Sequence, residues 1–299
     1  MKKDCKLIAT IPSINNREKV REAFRQPAIA ELRFNTGVQT PTSVEETLDF
    51  LKSMARQYQK KLWIDIKGRQ LRVAKWADPL YSCVELNHKI ELLYPAEIYF
   101  RNGDKANITH VKNGNKIFID PLPRQALGAG QSVNIIAKEI KVKGYLTEKD
   151  KQYLSECKKQ DVNNVMASFV ESFEDLAQII QFLPKASIIS KIESLQGMQF
   201  IKQYPIQGLM SARDDLYIQT GQNYQMLNHL RDIISIDPNA ICASKIFLSL
   251  EKRSKIDFAD FADLELMYQM GYRTFMLCDN ICNYRLIEAI KGWEDFING

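Results

Sequence analysis

Short runs of apolar and β-branched residues recur along this chain, and an amphipathic segment follows most of them. This pattern predicts eight strands, at Lys6–Ile11, Ile29–Phe34, Leu62–Ile66, Asn164–Phe169, Ala186–Ile192, Gln207–Ala212, Ala240–Ile246 and Thr274–Leu277. Strands that alternate with helices are typical of βα units around a parallel sheet. Eight such units close most simply into a (β/α)₈ TIM barrel, so we predict an α/β fold of this kind.

Two of the intervening segments show helical spacing clearly. Apolar residues recur every three or four positions in Ser43–Tyr58 and in Ser172–Phe182, which places them on one face of each helix. Ser172 and Asp175 have the spacing of a capping box, in which two side chains satisfy the free N–H groups of a first helical turn. We therefore expect a helix to begin at Ser172.

The alternation of strand and helix stops between the third and fourth predicted strands. This region lacks a long helical pattern and has turn signals at Asn102-Gly103 and Asn113-Gly114. A small β-rich domain inserted after strand three would serve as a lid over the catalytic face, because active sites of such barrels lie at the carboxyl ends of the strands. The expected organisation is 1–72 for the first part of the barrel, 73–142 for the lid and 143–299 for the rest of the barrel.

Composition excludes several classes of protein but does not identify the function. The chain has 299 residues, 45% hydrophobic and 26% charged, and lacks the long apolar run that a membrane span requires. Its N-terminus has no signal-peptide pattern, so we expect a cytoplasmic protein. The net charge is +5, and the Lys and Arg residues are interleaved with Glu and Asp. This charge pattern does not indicate a nucleic-acid-binding protein. Six scattered cysteines and three histidines do not form a zinc motif.

The polar residues with the clearest chemistry lie at the ends of strands five and six. Period-two alternation sends Lys191 and Glu193 to the same side, and Asp215 follows the neighbouring strand. Two carboxylates beside an ammonium can hold a hard divalent cation while the lysine neutralises a phosphate or an enolate. The alternative is a plain ion pair between Lys191 and Glu193, and the pattern alone favours neither.

Several stretches resemble motifs of the pyruvate kinase family in order and spacing. They are KLIATIPS, LWIDIKGRQLR, GYLTEKDKQYL with VMASFVESFEDL, IISKIESLQGM and GLMSARDDL. The similarity covers nearly the whole chain and ends where the C-terminal domain of that family begins. The resemblance therefore implies a barrel with a lid and without a C-terminal regulatory domain, and it leaves a homo-oligomer possible.

This resemblance implies roles for individual residues. Glu193 and Asp215 would ligate Mg²⁺ or Mn²⁺, and Lys191 would stabilise the transferred phosphoryl group and the pyruvate enolate. Ser244 would keep a carboxylate or proton-relay contact as a second catalytic residue. Backbone N–H groups at a helix start would receive the substrate carboxylate. The resemblance implies a substrate-binding set of Arg72, Ser168, Ala212, Arg213, Asp214 and Ser244, and we add Arg33 to it for its positive charge.

The departures from the family pattern concern the phosphate and nucleotide sides. Glu31 stands where the family has a phosphate-binding arginine. Arg33 is two residues further along the strand and on the same face. It could supply the positive charge that the family's arginine provides, or replace the monovalent cation that many members hold. Alternatively, it could form an ion pair with Glu31. The segment MLCDNICNYR lacks the Gly, Thr and Lys of the family's strand-eight loop.

Three functions are compatible with this sequence. The favoured one is a divalent-metal-dependent enzyme that binds phosphoenolpyruvate or pyruvate and stabilises its enolate, with ordinary phosphotransfer to ADP in doubt. The second is a lyase or aldolase acting on a 2-oxo acid such as oxaloacetate. The third is a non-catalytic binding protein. Fold alone does not separate them.

Overall fold

The structure is a computed structural model of the chain, and it describes residues 2, 4–77, 83–100 and 103–299. The chain divides into two compact units, one formed by Met1–Ile66 with Gln152–Gly299 and the other by Lys67–Lys151. The strands, in chain order, are β1 (Lys6–Thr10), β2 (Ile29–Asn35), β3 (Lys61–Ile66), β4 (Cys83–Glu85), β5 (Lys89–Phe100), β6 (Lys105–Lys112), β7 (Lys116–Asp120), β8 (Val133–Lys143), β9 (Asn164–Ala167), β10 (Ser187–Ile192), β11 (Leu209–Ala212), β12 (Ile241–Ala243) and β13 (Thr274–Leu277).

The first unit contains a closed barrel. Within the described residues, the barrel has eight strands, and each is hydrogen-bonded to its neighbours in the order β1-β13-β12-β11-β10-β9-β3-β2. All of these pairings are parallel. This arrangement confirms the predicted (β/α)₈ barrel.

Helices follow the strands as the amphipathic pattern predicts. They are α1 (Arg17–Arg25), α2 (Val44–Gln57), α3 (Glu148–Lys159), α4 (Phe173–Phe182), α5 (Leu195–Gln203), α6 (Arg213–Gln219), α7 (Gln225–Ile236), α8 (Phe258–Met270), α9 (Asp279–Tyr284) and α10 (Leu286–Asn298). Ser172 and Asp175 form the predicted capping box of α4. No helix of the described residues is long and apolar enough to span a bilayer.

The barrel interior is filled by side chains. Each strand turns alternate residues inward. The buried residues that pack together there are Ile8, Trp63, Met166, Met210, Ile241, Ala243 and Met276. In β1, β3 and β11 the residue of this layer lies at least two positions before the end of the strand, so the inward-facing residues that follow it are free to be polar.

Two barrel strands end two or three residues earlier than the apolar pattern predicts, because the backbone changes conformation. Strand β9 ends at Ala167, and Phe169 lies in the left-handed region with φ 51°. Strand β12 ends at Ala243, and Ser244 follows with φ 67°. A left-handed residue cannot continue a strand, and for a non-glycine residue it costs on the order of 1–2 kcal/mol. Phe169 directly follows the candidate site residue Ser168, and Ser244 is itself a candidate site residue.

The second unit is the β-rich insertion after β3. It contains an antiparallel five-stranded sheet in the order β4-β7-β6-β5-β8. One face packs on a core that includes Val84, Ile98, Ile108, Ile117 and Ile135.

The hairpin between β6 and β7 has its turn at a predicted position. Asn113 and Gly114 adopt φ 56° and 79°, as a type I′ turn requires. Asn102 of the other predicted turn lies outside the described residues.

Candidate active site

Polar side chains gather at the carboxyl ends of the barrel strands, and Lys191 is central among them. Its side chain is 7% exposed. The ammonium donates to the Ser168 hydroxyl at 2.8 Å and lies 3.2 Å from Glu193 Oε1 and 3.5 Å from Asp65 Oδ1. Burial alone would lower the pKa of Lys191, but the charges of Asp65 and Glu193 outweigh it, so the pKa is raised. Lys191 is therefore a fixed positive charge.

Glu193 lies on the same side of the chain as Lys191, as strand alternation predicts. Its Oε2 accepts a hydrogen bond from the Phe169 backbone N–H at 2.8 Å. Burial raises the pKa of Glu193 to about 7; the negative charges of Asp215 and Asp65 add to this rise, and Lys191 opposes it. A second cation beside this buried carboxylate would stabilise its ionised form.

Arg33 holds a second part of the site together. Its side chain is 8% exposed. The guanidinium binds Asp65 through Nε at 2.7 Å and donates from Nη1 to the Thr10 hydroxyl at 3.0 Å and to Asp279 Oδ2 at 3.0 Å. The other oxygen of Asp279 accepts from the Asn35 amide at 2.8 Å. Burial would lower the pKa of Arg33, but the two carboxylates raise it.

The acidic residue in place of the family's arginine is not part of this cluster. The Glu31 carboxylate accepts a hydrogen bond from the Trp63 indole N–H. Arg33 binds Asp65 and Asp279 instead of Glu31, so the ion pair considered between Glu31 and Arg33 does not form. Since two carboxylates already neutralise Arg33, it offers little positive charge to an incoming phosphate.

Carboxylates act on both cationic side chains of this network. The charges of Asp65 and Glu193 raise the pKa of Lys191, and those of Asp65 and Asp279 raise the pKa of Arg33. The charges of Asp215 and Asp65 also add to the burial that raises the pKa of Glu193. A bound divalent cation would oppose this rise.

The donor set fits a hard divalent cation. Glu193 is buried, and Asp215 is half-buried in the first turn of α6. Mg²⁺ is commonly held by one or two carboxylates, with water and substrate oxygens completing six ligands. Among the described residues, no group of three or more His, Cys, Asp or Glu side chains is arranged to hold a metal ion. Two carboxylates would thus need oxygen ligands from substrate and water.

The residues at the end of β11 occupy different environments. Ala212 is buried and precedes α6, without a side-chain cap on that helix. Asp214 is exposed and pairs with Lys245 at 3.0 Å. The Arg213 side chain is buried and turns to Asp263, at 2.7 and 2.9 Å. A role of these three residues toward a carboxylate would therefore rest on their backbone N–H groups.

Arg213 also fixes the segment after β12. Its Nε and Nη2 donate to the Ser244 carbonyl at 3.0 and 2.6 Å. Ser244, Lys245 and Phe247 all have positive φ, at 67°, 59° and 53°. Strained backbone of this kind persists where the surroundings over-determine it. Arg213 supplies part of that constraint and so positions Ser244.

Replacing Arg213 by Ala is expected to lower the free energy of unfolding by about 3 kcal/mol, because the Ser244 carbonyl and Asp263 lose a charged donor. Urea denaturation followed by circular dichroism measures this loss. The matched control is Arg253→Ala, since Arg253 forms an exposed pair with Asp257 and should cost under about 1 kcal/mol. Equal losses in the two variants would contradict this role of Arg213.

Arg72 lies in the insertion unit. Its guanidinium donates to Gln70 Oε1 at 3.0 and 2.6 Å and to the Gly130 carbonyl at 2.5 Å. These contacts fix its position within that unit. Its substrate-binding role stays a prediction.

The structure brings Arg33, Ser168, Lys191 and Glu193 into one network through Asp65, and it joins Arg213 to Ser244. The network also contains Thr10, Asp65 and Asp279, which were not among the site residues predicted from the sequence. Thr10 ends β1, so its position at a strand end was the available signal. Asp279 follows β13 in the same way, but it falls in a segment that departs from the family pattern.

Comparison with known proteins agrees with this architecture. A family model described as "Pyruvate kinase, barrel domain" matches residues 96–278. Pyruvate kinase of Borreliella burgdorferi is 25% identical over 244 residues, which cover 72% of this chain and 50% of that protein. Pyruvate kinase of Clostridium perfringens is 24% identical over 255 residues, covering 72% and 52%. The chain spans about half the length of these curated relatives.

Proposed function

Because this chain belongs to the pyruvate kinase family, we propose that its barrel binds phosphoenolpyruvate, pyruvate or a related 2-oxo acid with Mg²⁺ or Mn²⁺ and stabilises the enolate form. The observation that carries this proposal is the buried Lys191 ammonium beside the buried carboxyl group of Glu193, whose pKa is raised. A fixed ammonium in a buried site stabilises negative charge that develops on an enolate oxygen.

Each residue of the network has a definable part in this proposal. Glu193 and Asp215 would hold the cation, which when bound would polarise the carbonyl oxygen of the substrate as a Lewis acid. Lys191 would face the enolate oxygen, and Ser168 and Asp65 keep its ammonium in place. These positions are set before substrate arrives, so little reorganisation accompanies the chemistry.

The carboxylate end of the substrate would be received at the start of α6. Backbone N–H groups of Ala212, Arg213 and Asp214 are the donors proposed there, with the Ser244 hydroxyl as a further contact. The bond from Arg213 to the Ser244 carbonyl supports this arrangement, because it couples the two strand ends.

A lyase acting on a 2-oxo acid such as oxaloacetate is a second candidate. The observation that favours it is the acidic character of the phosphate side, where Arg33 is neutralised by Asp65 and Asp279 and Glu31 replaces an arginine. A lyase needs enolate stabilisation but no site for a transferring phosphoryl group, whereas phosphoryl transfer relies on cations around that group.

One set of assays separates these functions. The protein with Mn²⁺ is incubated with phosphoenolpyruvate and ADP, with oxaloacetate, and with pyruvate in deuterated water. We expect deuterium exchange into pyruvate, since it requires the enolate alone. ATP formation would extend the proposal to the kinase reaction, and pyruvate formation from oxaloacetate to the lyase. If Lys191→Met leaves an observed reaction unchanged, or if all three arms are silent, the proposal fails.

A further inference from the structure

The positive charge of the chain is concentrated in the insertion. Residues 67–151 contain 15 Lys and Arg against 9 Asp and Glu, whereas the rest of the chain contains 26 against 27. The net charge of +5 therefore arises from the insertion. A surface of this sign raises the local concentration of anions.

A cavity of about 610 Å³ lies within the insertion, where β5 and β6 separate. These strands pair along Glu97–Tyr99 and Lys105–Asn107. Towards the start of β5, the Ile90 N–H bonds to the Gly114 carbonyl at 2.7 Å, at the turn that follows β6. The stretch between these two links borders the cavity. A volume of this size is in the range of small-molecule sites.

The cavity has an apolar floor and a polar edge. Ile90, Leu92 and Val111 line it and belong to the core of the insertion or pack against it. Tyr94 also lines it, and its side chain is 49% exposed. Small-molecule sites commonly combine an apolar lining with a few polar groups that orient the ligand. An exposed tyrosine ring adds a face on which a planar ring can stack.

Two ammonium groups at the edge of the cavity favour an anion. Lys89 and Lys143 are direct partners in the register of β5 and β8, and both line the cavity. Like charges in this position are unfavourable. Lys143 is paired with Glu91, which also lines the cavity, whereas Lys89 forms no ion pair with any residue that the structure describes. An anion beside Lys89 would pair with its charge and would share Lys143 with Glu91.

We propose that this cavity binds a small phosphate monoester that carries a planar ring, the class that nucleoside monophosphates represent. The phosphate would lie between Lys89 and Lys143, and the ring would lie against Tyr94 above the apolar floor. This inference is independent of the function proposed for the barrel.

The test is calorimetric titration of the full chain with AMP at about 150 mM salt, where weak surface attraction is screened, and without divalent metal. We expect saturable binding with one site per chain. Lys89→Gln should weaken it about tenfold, since it removes a charge-assisted contact to phosphate. Tyr94→Ala should also weaken binding. Adenosine and inorganic phosphate alone should each bind at least about tenfold more weakly than AMP, because each offers only part of the ligand.

Two variants serve as matched controls. Lys138 is an exposed lysine of β8 that does not line the cavity, so Lys138→Gln should bind AMP like the wild type. Glu193→Gln should also bind AMP normally, which separates this site from the barrel site. The proposal is overturned by absent saturable binding, by an equal loss in Lys138→Gln and Lys89→Gln, or by inorganic phosphate binding as tightly as AMP.

Discussion

Replacing Glu193 by Gln is expected to weaken Mn²⁺-dependent binding of oxalate by on the order of 100-fold or more, since losing even an outer partner of a metal ligand costs 10–100-fold. Oxalate stands here for the planar, charged pyruvate enolate. Gln keeps the size of Glu and can still accept the Phe169 N–H, but it lacks the charge that a divalent cation requires. Calorimetric titration of oxalate in the presence and absence of Mn²⁺ measures the loss.

Unfolding of this variant is not expected to cause the loss. The pKa of Glu193 is raised from 4.5 to about 7, chiefly by burial. A carboxyl group with a raised pKa stabilises the fold fully below pH 4.5, and this contribution is lost as pH rises through 7. At pH 8 the ionised Glu193 is therefore unfavourable without a metal, and a neutral Gln removes that cost. Thermal unfolding of both proteins at pH 8 checks this point.

Two further variants sharpen the assignment. Asp215→Asn should show the same kind of loss, because Asp215 is the second proposed ligand. Glu174→Gln is the matched control, since Glu174 is an exposed residue of α4 and should bind Mn²⁺ and oxalate like the wild type. Unchanged metal-dependent binding in Glu193→Gln would remove the basis for the metal site.

The barrel was predictable because its signals are local. Parallel strands buried on both faces appear as apolar runs, and helices between them show amphipathic spacing. The boundaries of β9 and β12 were not predictable in this way, because Phe169 and Ser244 are apolar or small residues whose left-handed conformation is imposed by their surroundings. Such tertiary constraints leave no mark in a single sequence.

The site was predictable in part for the same reason. Lys191 lies in β10 and Glu193 directly follows its last residue, so alternation along the strand places them on the same side. The binding of Arg33 by Asp65 and Asp279 joins β2, β3 and the start of α9, and α9 is far from the two strands in the chain. Position at a strand end identifies such residues as candidates, but the choice of partners depends on how the barrel closes.

Replacing Arg33 by Asn is expected to lower the free energy of unfolding by about 3–5 kcal/mol, because it removes the guanidinium that binds the buried carboxylate of Asp65. Urea denaturation measures the loss. In the double variant Arg33→Asn/Asp279→Asn, one of the two carboxylates that bind Arg33 is replaced by a neutral amide, so part of the stability should return. This recovery, measured as a coupling free energy, tests the contact between Arg33 and Asp279 directly.

The same substitution tests whether Arg33 takes the place of a monovalent cation. The guanidinium is a permanent charge held by Asp65, Asp279 and Thr10, so Mn²⁺-dependent oxalate binding by the wild type should be the same in K⁺ and in tetramethylammonium. In Arg33→Asn the charge is gone, and K⁺ should strengthen oxalate binding relative to tetramethylammonium, since Asp65 and the new amide offer oxygen ligands. Arg33→Lys keeps a positive charge but lacks the planar guanidinium, and its oxalate binding should not depend on K⁺. A wild type that requires K⁺ would show that Arg33 does not serve as the internal cation.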